Sequence, residues 1–154
     1  MLDTPHITQT TACPAAFIHI TVPREQIRSV MGPGFEELFA VLAAQGLAPA
    51  GPVFSHHLRI DPAIFDFELG VSVAAPVSAA GRVQPGELPG ATVARTIYHG
   101  PYEGLGEAWG RFKDWIGAEK LSTAPDLWEC YLSGPNDSPD PATWRTELNQ
   151  VLKG

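Results

Sequence analysis

The sequence predicts an α+β fold of two pseudo-symmetric strand-helix-strand-strand units that form antiparallel sheet with a groove between them. Three observations predict it. Apolar residues alternate with polar ones at the two-residue period of a strand in 15–22, 53–60, 65–73, 91–98 and 126–132. Two stretches repeat instead at three- and four-residue steps, one ending at Gly46 and one running from Leu105 to Ile116. The same punctuation also recurs in the same order: Gly32-Pro33 and Gly100-Pro101 before the helices, Pro52 and Pro125 before the next strands, and Glu68-Leu69 and Glu147-Leu148 in the last strands.

Taken in order, residues 1–14 are a polar, Thr-rich segment set ahead of a single domain at 15–152. Its first half spans about 15–75, a connector rich in Gly and Pro spans about 76–90, and the second half spans about 91–152. Ile18, Ile20 and Val22 share one face of the first strand, which Pro23 ends. Residues 24–30 have helical character, but Met31-Gly32-Pro33-Gly34 predicts an interruption before Phe35, Leu38, Phe39, Val41 and Leu42 resume the period. Asp61-Pro62 separates the next two strands. In the second half Val93, Arg95 and Ile97 share a strand face, Pro101 suits a first helical turn, and Leu105, Ala108, Trp109, Phe112, Trp115 and Ile116 form an apolar helix face.

Bulk properties exclude several functions. A net charge of −7 with ten scattered Lys and Arg leaves no basic stripe for nucleic acid, and an acidic surface favours cationic partners. The polar start lacks the basic-then-apolar pattern of a signal peptide and no stretch has the length of a membrane span, so a cytoplasmic protein is expected. Cys13 and Cys130 are too few for a zinc motif and read as buried thiols. His56 and His57, adjacent on a strand, face opposite sides and cannot share one ion, so no metal is expected. No cofactor is expected either, because Gly32-Pro33-Gly34 lacks the Lys and the Ser or Thr of a phosphate loop. Ser55 and Ser133 lack the glycine-framed elbow of a nucleophilic serine.

Glu129 is the residue that asks for an explanation. On its strand Leu127, Glu129 and Tyr131 point one way and Trp128, Cys130 and Leu132 the other, and the helix is expected to cover the second set. A carboxylate among aromatic residues must be wet, paired or functional, because an unpaired charge in an apolar interior shifts its pKa and neutralises.

The ordered set Tyr98-His99-Gly100-Pro101-Tyr102-Glu103, a Trp- and Phe-bearing helix, Trp128-Glu129-Cys130-Tyr131-Leu132 before Gly134-Pro135, and Thr146-Glu147-Leu148 resembles the GyrI-like small-molecule-binding family over residues 15 to 152. That fold also serves as the effector-binding domain of AraC-type and MerR-type regulators. The resemblance implies two pseudo-symmetric halves around a ligand groove, and a strand glutamate in an aromatic pocket for lipophilic cations, a place Glu129 matches. Some stand-alone members hydrolyse cyclopropane-bearing DNA-alkylating compounds, and others act on gyrase by protein contact. This sequence departs from the regulators in showing no helix-turn-helix segment, so a complete transcription factor is not expected.

The expected groove therefore holds a small-molecule ligand against Glu129, Leu127 and Tyr131, with Phe54 and His56 from the equivalent first-half strand. His56 falls opposite Glu129 when Pro52 is matched with Pro125. Phe67 joins from the following strand, and Trp109 and Phe112 from the helix, where core packing competes with pocket lining. Rings attract a cation through their quadrupoles and a reduced dielectric strengthens its pairing with the carboxylate. Under hydrolysis, Glu129 would act as general base, with Tyr131 or His56 supplying a proton or hydrogen bond. Under the contact reading, the partner is a protein.

Overall fold

A computed structural model describes residues 2–135 and 137–153. Among them the elements follow as β1 (His6–Gln9), β2 (Cys13–Pro23), α1 (Ile27–Ala44), β3 (Pro49–Ile60), β4 (Ile64–Val73), β5 (Gln84–Leu88), β6 (Thr92–His99), α2 (Leu105–Ala118), β7 (Thr123–Ser133) and β8 (Arg145–Leu152). The strands form one antiparallel sheet in the order β1-β6-β8-β7-β3-β4-β2-β5. Read outward from its centre, the order is the same both ways: β7-β8-β6 on one side and β3-β4-β2 on the other. Each half is the expected strand-helix-strand-strand unit. The halves meet where β3 pairs with β7, through Phe54↔Cys130, Ser55↔Glu129, His56↔Trp128 and His57↔Leu127.

Each helix buries one stripe on its own half. Gly34, Leu38 and Leu42 of α1 are matched by Ala108, Phe112 and Ile116 of α2, both sets at four-residue spacing. The first set packs on Ile18, Ile20, Phe67 and Leu69, and the second on Ala94, Tyr98 and Leu148. Directly paired residues share a sheet face. Since Ser55 pairs with both Leu69 and Glu129, and Glu129 with Leu148, both helices lie on the face that carries Glu129. This corrects the expectation that the helix covers Trp128 and Cys130. The two helices flank Glu129 and leave a groove between them.

A second correction concerns α1, which passes through Pro33 without stopping. Proline inside a helix costs about 3 kcal/mol or more. Leu38 and Leu42 are almost wholly buried, and each such side chain contributes about 1.5–3 kcal/mol, which offsets that cost. Gly34 permits the close approach, because a Cβ there would stand 2.5 Å from Leu69 Cδ2.

Among the described residues the opposite sheet face carries neither α1 nor α2, yet Phe54, Trp128, Cys130, Ala15 and Val93 form a buried cluster on it. Strands cover it. Pairing from His6↔Arg95 to Gln9↔Thr92 resumes in the same register from Cys13↔Leu88 to Phe17↔Gln84, and the Thr10 amide donates to the Ala91 carbonyl at 2.8 Å across the gap. Thus β1 with β2, and β5 with β6, make a long two-stranded ribbon joining one half to the other. The polar start and the connector, set outside the two units in the sequence, supply its β1 and β5. Cys130 is buried, which pushes its thiol up to about 12, whereas Cys13 is exposed, contrary to the sequence expectation. Among the described residues no helix is long and apolar enough to cross a membrane.

Candidate functional site

The central β3–β7 pair forms the floor of the groove and the two helices form its walls. Alternation on β3 presents Val53, Ser55 and His57, and alternation on β7 presents Leu127, Glu129 and Tyr131. Phe35 from α1 and Trp109 from α2 face each other across this floor, and Tyr102 and Trp144 lie at one end with rings 5.1 Å apart. The cavity measures about 1110 Å³, ample for a drug-sized ligand.

Glu129 sits in this floor, 9% exposed. The Trp109 indole N–H donates to its Oε2 at 2.6 Å, and the Tyr131 hydroxyl donates to its Oε1 at 2.8 Å. The chain of contacts continues from Tyr131 to Ser55 Oγ at 2.8 Å and from Ser55 Oγ to His57 Nε2 at 3.2 Å. Phe35 meets Tyr131 edge-on with centroids 6.4 Å apart, and Tyr102 does so at 6.0 Å.

Burial pushes the Glu129 carboxyl above the ordinary glutamate range, against the pull of the Trp109 and Tyr131 donors. Burial, then the neighbouring Glu129 charge, raises the Tyr131 phenol well above its usual value. Tyr102 rises through burial and the charges of Asp137 and Glu129. His57 falls to about 4 because it is buried and lies near His56 and Arg24, so it is neutral at pH 7. The floor of the groove therefore offers one carboxylate with directed donors, set among aromatic faces and neutral polar groups.

Four of the residues named from sequence meet in this groove: Glu129, Tyr131, Leu127 and Trp109. Phe112 lies behind Trp109, 5.6 Å ring to ring, wholly buried between α2 and the sheet. Phe67 stacks beneath His57 at 5.1 Å and belongs to the core under α1. Phe54 and His56 point to the opposite face. There His56 Nε2 lies 2.8 Å from Asp126 and Nδ1 lies 3.5 Å from Glu68, with the ring edge-on to Trp128. Among the described residues, no group of three or more His, Cys, Asp or Glu side chains is placed to hold a metal ion.

Matching His56 with Glu129 is a slip of one residue from its true partner Ser55, and the slip has a physical source. Pairing shifts register between Pro49 and Val53 in β3 and between Thr123 and Leu127 in β7, so Pro52 and Pro125 both lie in irregular stretches. A slip of one residue moves a side chain to the other face. Counting instead from the matched helix positions Leu38 and Phe112 makes Ser55 the equivalent of Glu129, and Ser55 is also its direct cross-strand partner. Sequence reasoning thus missed Ser55 and His57, along with Phe35, Phe65 and Tyr102. The paired helix stripes would have located the first two.

The solved structures with this fold include the C-terminal domain of EcmrR, at a TM-score of 0.85 and 19% identity over 97% of this chain and 97% of that one. EcmrR in its DNA complex matches with the same TM-score, and there the chain spans 57% of the longer protein. SAV2435, solved bound to tetraphenylphosphonium, matches at a TM-score of 0.72 and 11% identity over 99% of this chain and 95% of that one. A hydrolase from Listeria innocua encoded by lin2189 matches at 0.62 and 11% identity, over 97% and 91% of the two chains. No curated protein matches the sequence. The model of the GyrI-like small molecule binding domain matches residues 3–149, nearly the whole chain, and the protein belongs to that family.

Proposed function

We propose that the groove binds a lipophilic aromatic cation, with Glu129 as its counter-charge and Trp109, Tyr131 and Tyr102 as its aromatic walls. The observation that carries this reading is a nearly buried carboxylate, held by an indole N–H at 2.6 Å and a phenol at 2.8 Å, in the floor of a large aromatic cavity. A folded protein has reason to leave such a charge without an internal cation if the cation arrives with the ligand. The ligand-bound relative SAV2435 holds an organic cation of this class. Titration with tetraphenylphosphonium and with tetraphenylborate, of nearly equal shape and opposite charge, tests the reading. Tryptophan fluorescence reports binding, since Trp109 and Trp144 both line the groove. The phosphonium is expected to bind at least about tenfold more tightly than the borate, and equal affinity would reject Glu129 as the counter-charge.

Hydrolysis of an electrophilic compound is a second reading, supported by the hydrogen-bonded series Glu129, Tyr131, Ser55 and His57. A carboxyl with a raised pKa suits a general base, and a neighbouring phenol can supply a hydrogen bond to a leaving oxygen. Product counted per protein by mass spectrometry, with excess cyclopropane-bearing electrophile, decides it. More than one product per chain, lost in Glu129→Gln, establishes turnover; one or fewer leaves binding alone.

A further inference from the structure

The charges that border the groove are sorted by sign. At one end Glu129, Glu103 and Asp137 surround Tyr102, whose phenol feels both Glu129 and Asp137. At the other end stand Arg24, Arg28 and Lys113. Arg24 lies over the Phe65 ring at 4.4 Å, Phe65 is 5.4 Å from His57, and His57 pairs with Leu127, two residues along β7 from Glu129. Lys113 is one helical turn beyond Trp109 and also borders a smaller hollow lined by Arg59, Thr123 and Pro125, which fixes it at this same end.

Among the described residues, none of these three cations makes an ion pair. Arg24 commits its Nε to the Asp61 carbonyl at 2.6 Å. The nearby Asp61 carboxylate is already engaged by the Ala63 and Ile64 amides and by Arg59. Arg28 and Lys113 are exposed. In a chain of net charge −7, three unpaired cations gathered at one end of a groove stand against the overall balance. Two residues along a strand cover about 6.7 Å and a neighbouring strand adds about 4.8 Å to reach His57, and Phe65 and Arg24 lie beyond it. The two ends therefore lie on the order of 15 Å apart, which leaves on the order of 10 Å between two ligand charges in contact with them.

We infer that the natural ligand is an aromatic zwitterion, carrying an anionic group on the order of 10 Å from its cationic centre. The cation rests against Glu129, and the anion is received by Arg28 and Lys113, beside Arg24, which is held by the Asp61 carbonyl. This rests on the cation-binding reading above and narrows it, since a purely cationic ligand would meet repulsion at the basic end.

(5-Carboxypentyl)triphenylphosphonium and its methyl ester test the inference, because they share one aromatic cation and differ by a single carboxylate held away from it at the end of an extended alkyl chain. Titration calorimetry gives Kd for each against the full chain, with tetraphenylphosphonium measured alongside. The free acid is expected to bind at least about tenfold more tightly than the ester, as suits one charge-assisted contact. The double variant Arg28→Gln, Lys113→Gln, with circular dichroism confirming its fold, is expected to bring the ratio close to one. A ratio near one in the unaltered protein, or one that survives in the double variant, overturns the inference. Failure of both the acid and its ester while tetraphenylphosphonium binds overturns it and leaves cation binding standing. Failure of all three ligands rejects both.

Discussion

Replacing Glu129 with Gln removes the groove charge while keeping its shape. The hydrogen bonds can be rearranged around the amide. Its Oε1 can accept from the Trp109 indole, which only donates, and its Nε2 can donate to Tyr131, whose hydroxyl then turns towards Ser55 2.8 Å away. The fold should therefore survive. For a cation about 5 Å from the carboxylate, an effective dielectric near 20 gives roughly 3 kcal/mol of attraction, part of which offsets desolvation of the pair. A net loss of about 2 kcal/mol follows, about thirtyfold in Kd for tetraphenylphosphonium by calorimetry. Tetraphenylborate should bind Glu129→Gln no worse than the unaltered protein. Phosphonium affinity within twofold of the original in a folded variant would refute charge pairing.

Further outcomes follow from the same geometry. Because the Glu129 carboxyl titrates above the ordinary glutamate range, phosphonium affinity should fall on acidification with a midpoint above 4.5, and Glu129→Gln should lack that midpoint. Trp109→Phe removes a donor that favours the carboxylate, so the midpoint should move further up. Phe112→Ala empties a wholly buried site under α2 and should cost about 3–5 kcal/mol in chemical denaturation, with little change in the affinity of the folded protein. Gly70→Ala would set a Cβ 2.8 Å from the Ala16 carbonyl oxygen and 2.6 Å from Phe54 Cζ; a loss of about 1–3 kcal/mol is expected, and an unchanged denaturation midpoint would contradict it. Burial lowers the His56 pKa, but Glu68 and Asp126 outweigh it and raise the imidazole above 6.5. Its contribution is then full below 6.5 and lost as pH rises through the folded value, so His56→Gln should flatten stability against pH in that window.

What could be read from the sequence depended on periodicity. The helix stripe of α2, the strand around Glu129 and the matched order of the two halves all follow from local spacing. Proline was a poorer guide. Pro33 is carried inside α1 because Leu38 and Leu42 bury against strands distant in sequence, a gain that local rules do not count. Pro52 and Pro125 mark irregular strand starts, so aligning them turned Phe54 and His56 towards the wrong face. The strands β1 and β5 were not anticipated because His6–Gln9 and Gln84–Leu88 are short, mostly exposed and scarcely apolar. Their place is set by partners 67 to 89 residues away.

The ribbon formed by β1, β2, β5 and β6 gives the two halves a second seam, on the far side of the sheet from the ligand groove. A pair of lobes fastened along one line can swing like a book, but a pair fastened along two lines resists that rotation. Widening the groove by parting β3 from β7 would also shear the ribbon and expose Trp128 and Phe54. The sheet therefore works as a rigid frame of fixed gauge. Adjustment to a small-molecule ligand then falls to the rim, where side chains such as Phe39, 40% exposed, can change rotamer without disturbing a single strand pair.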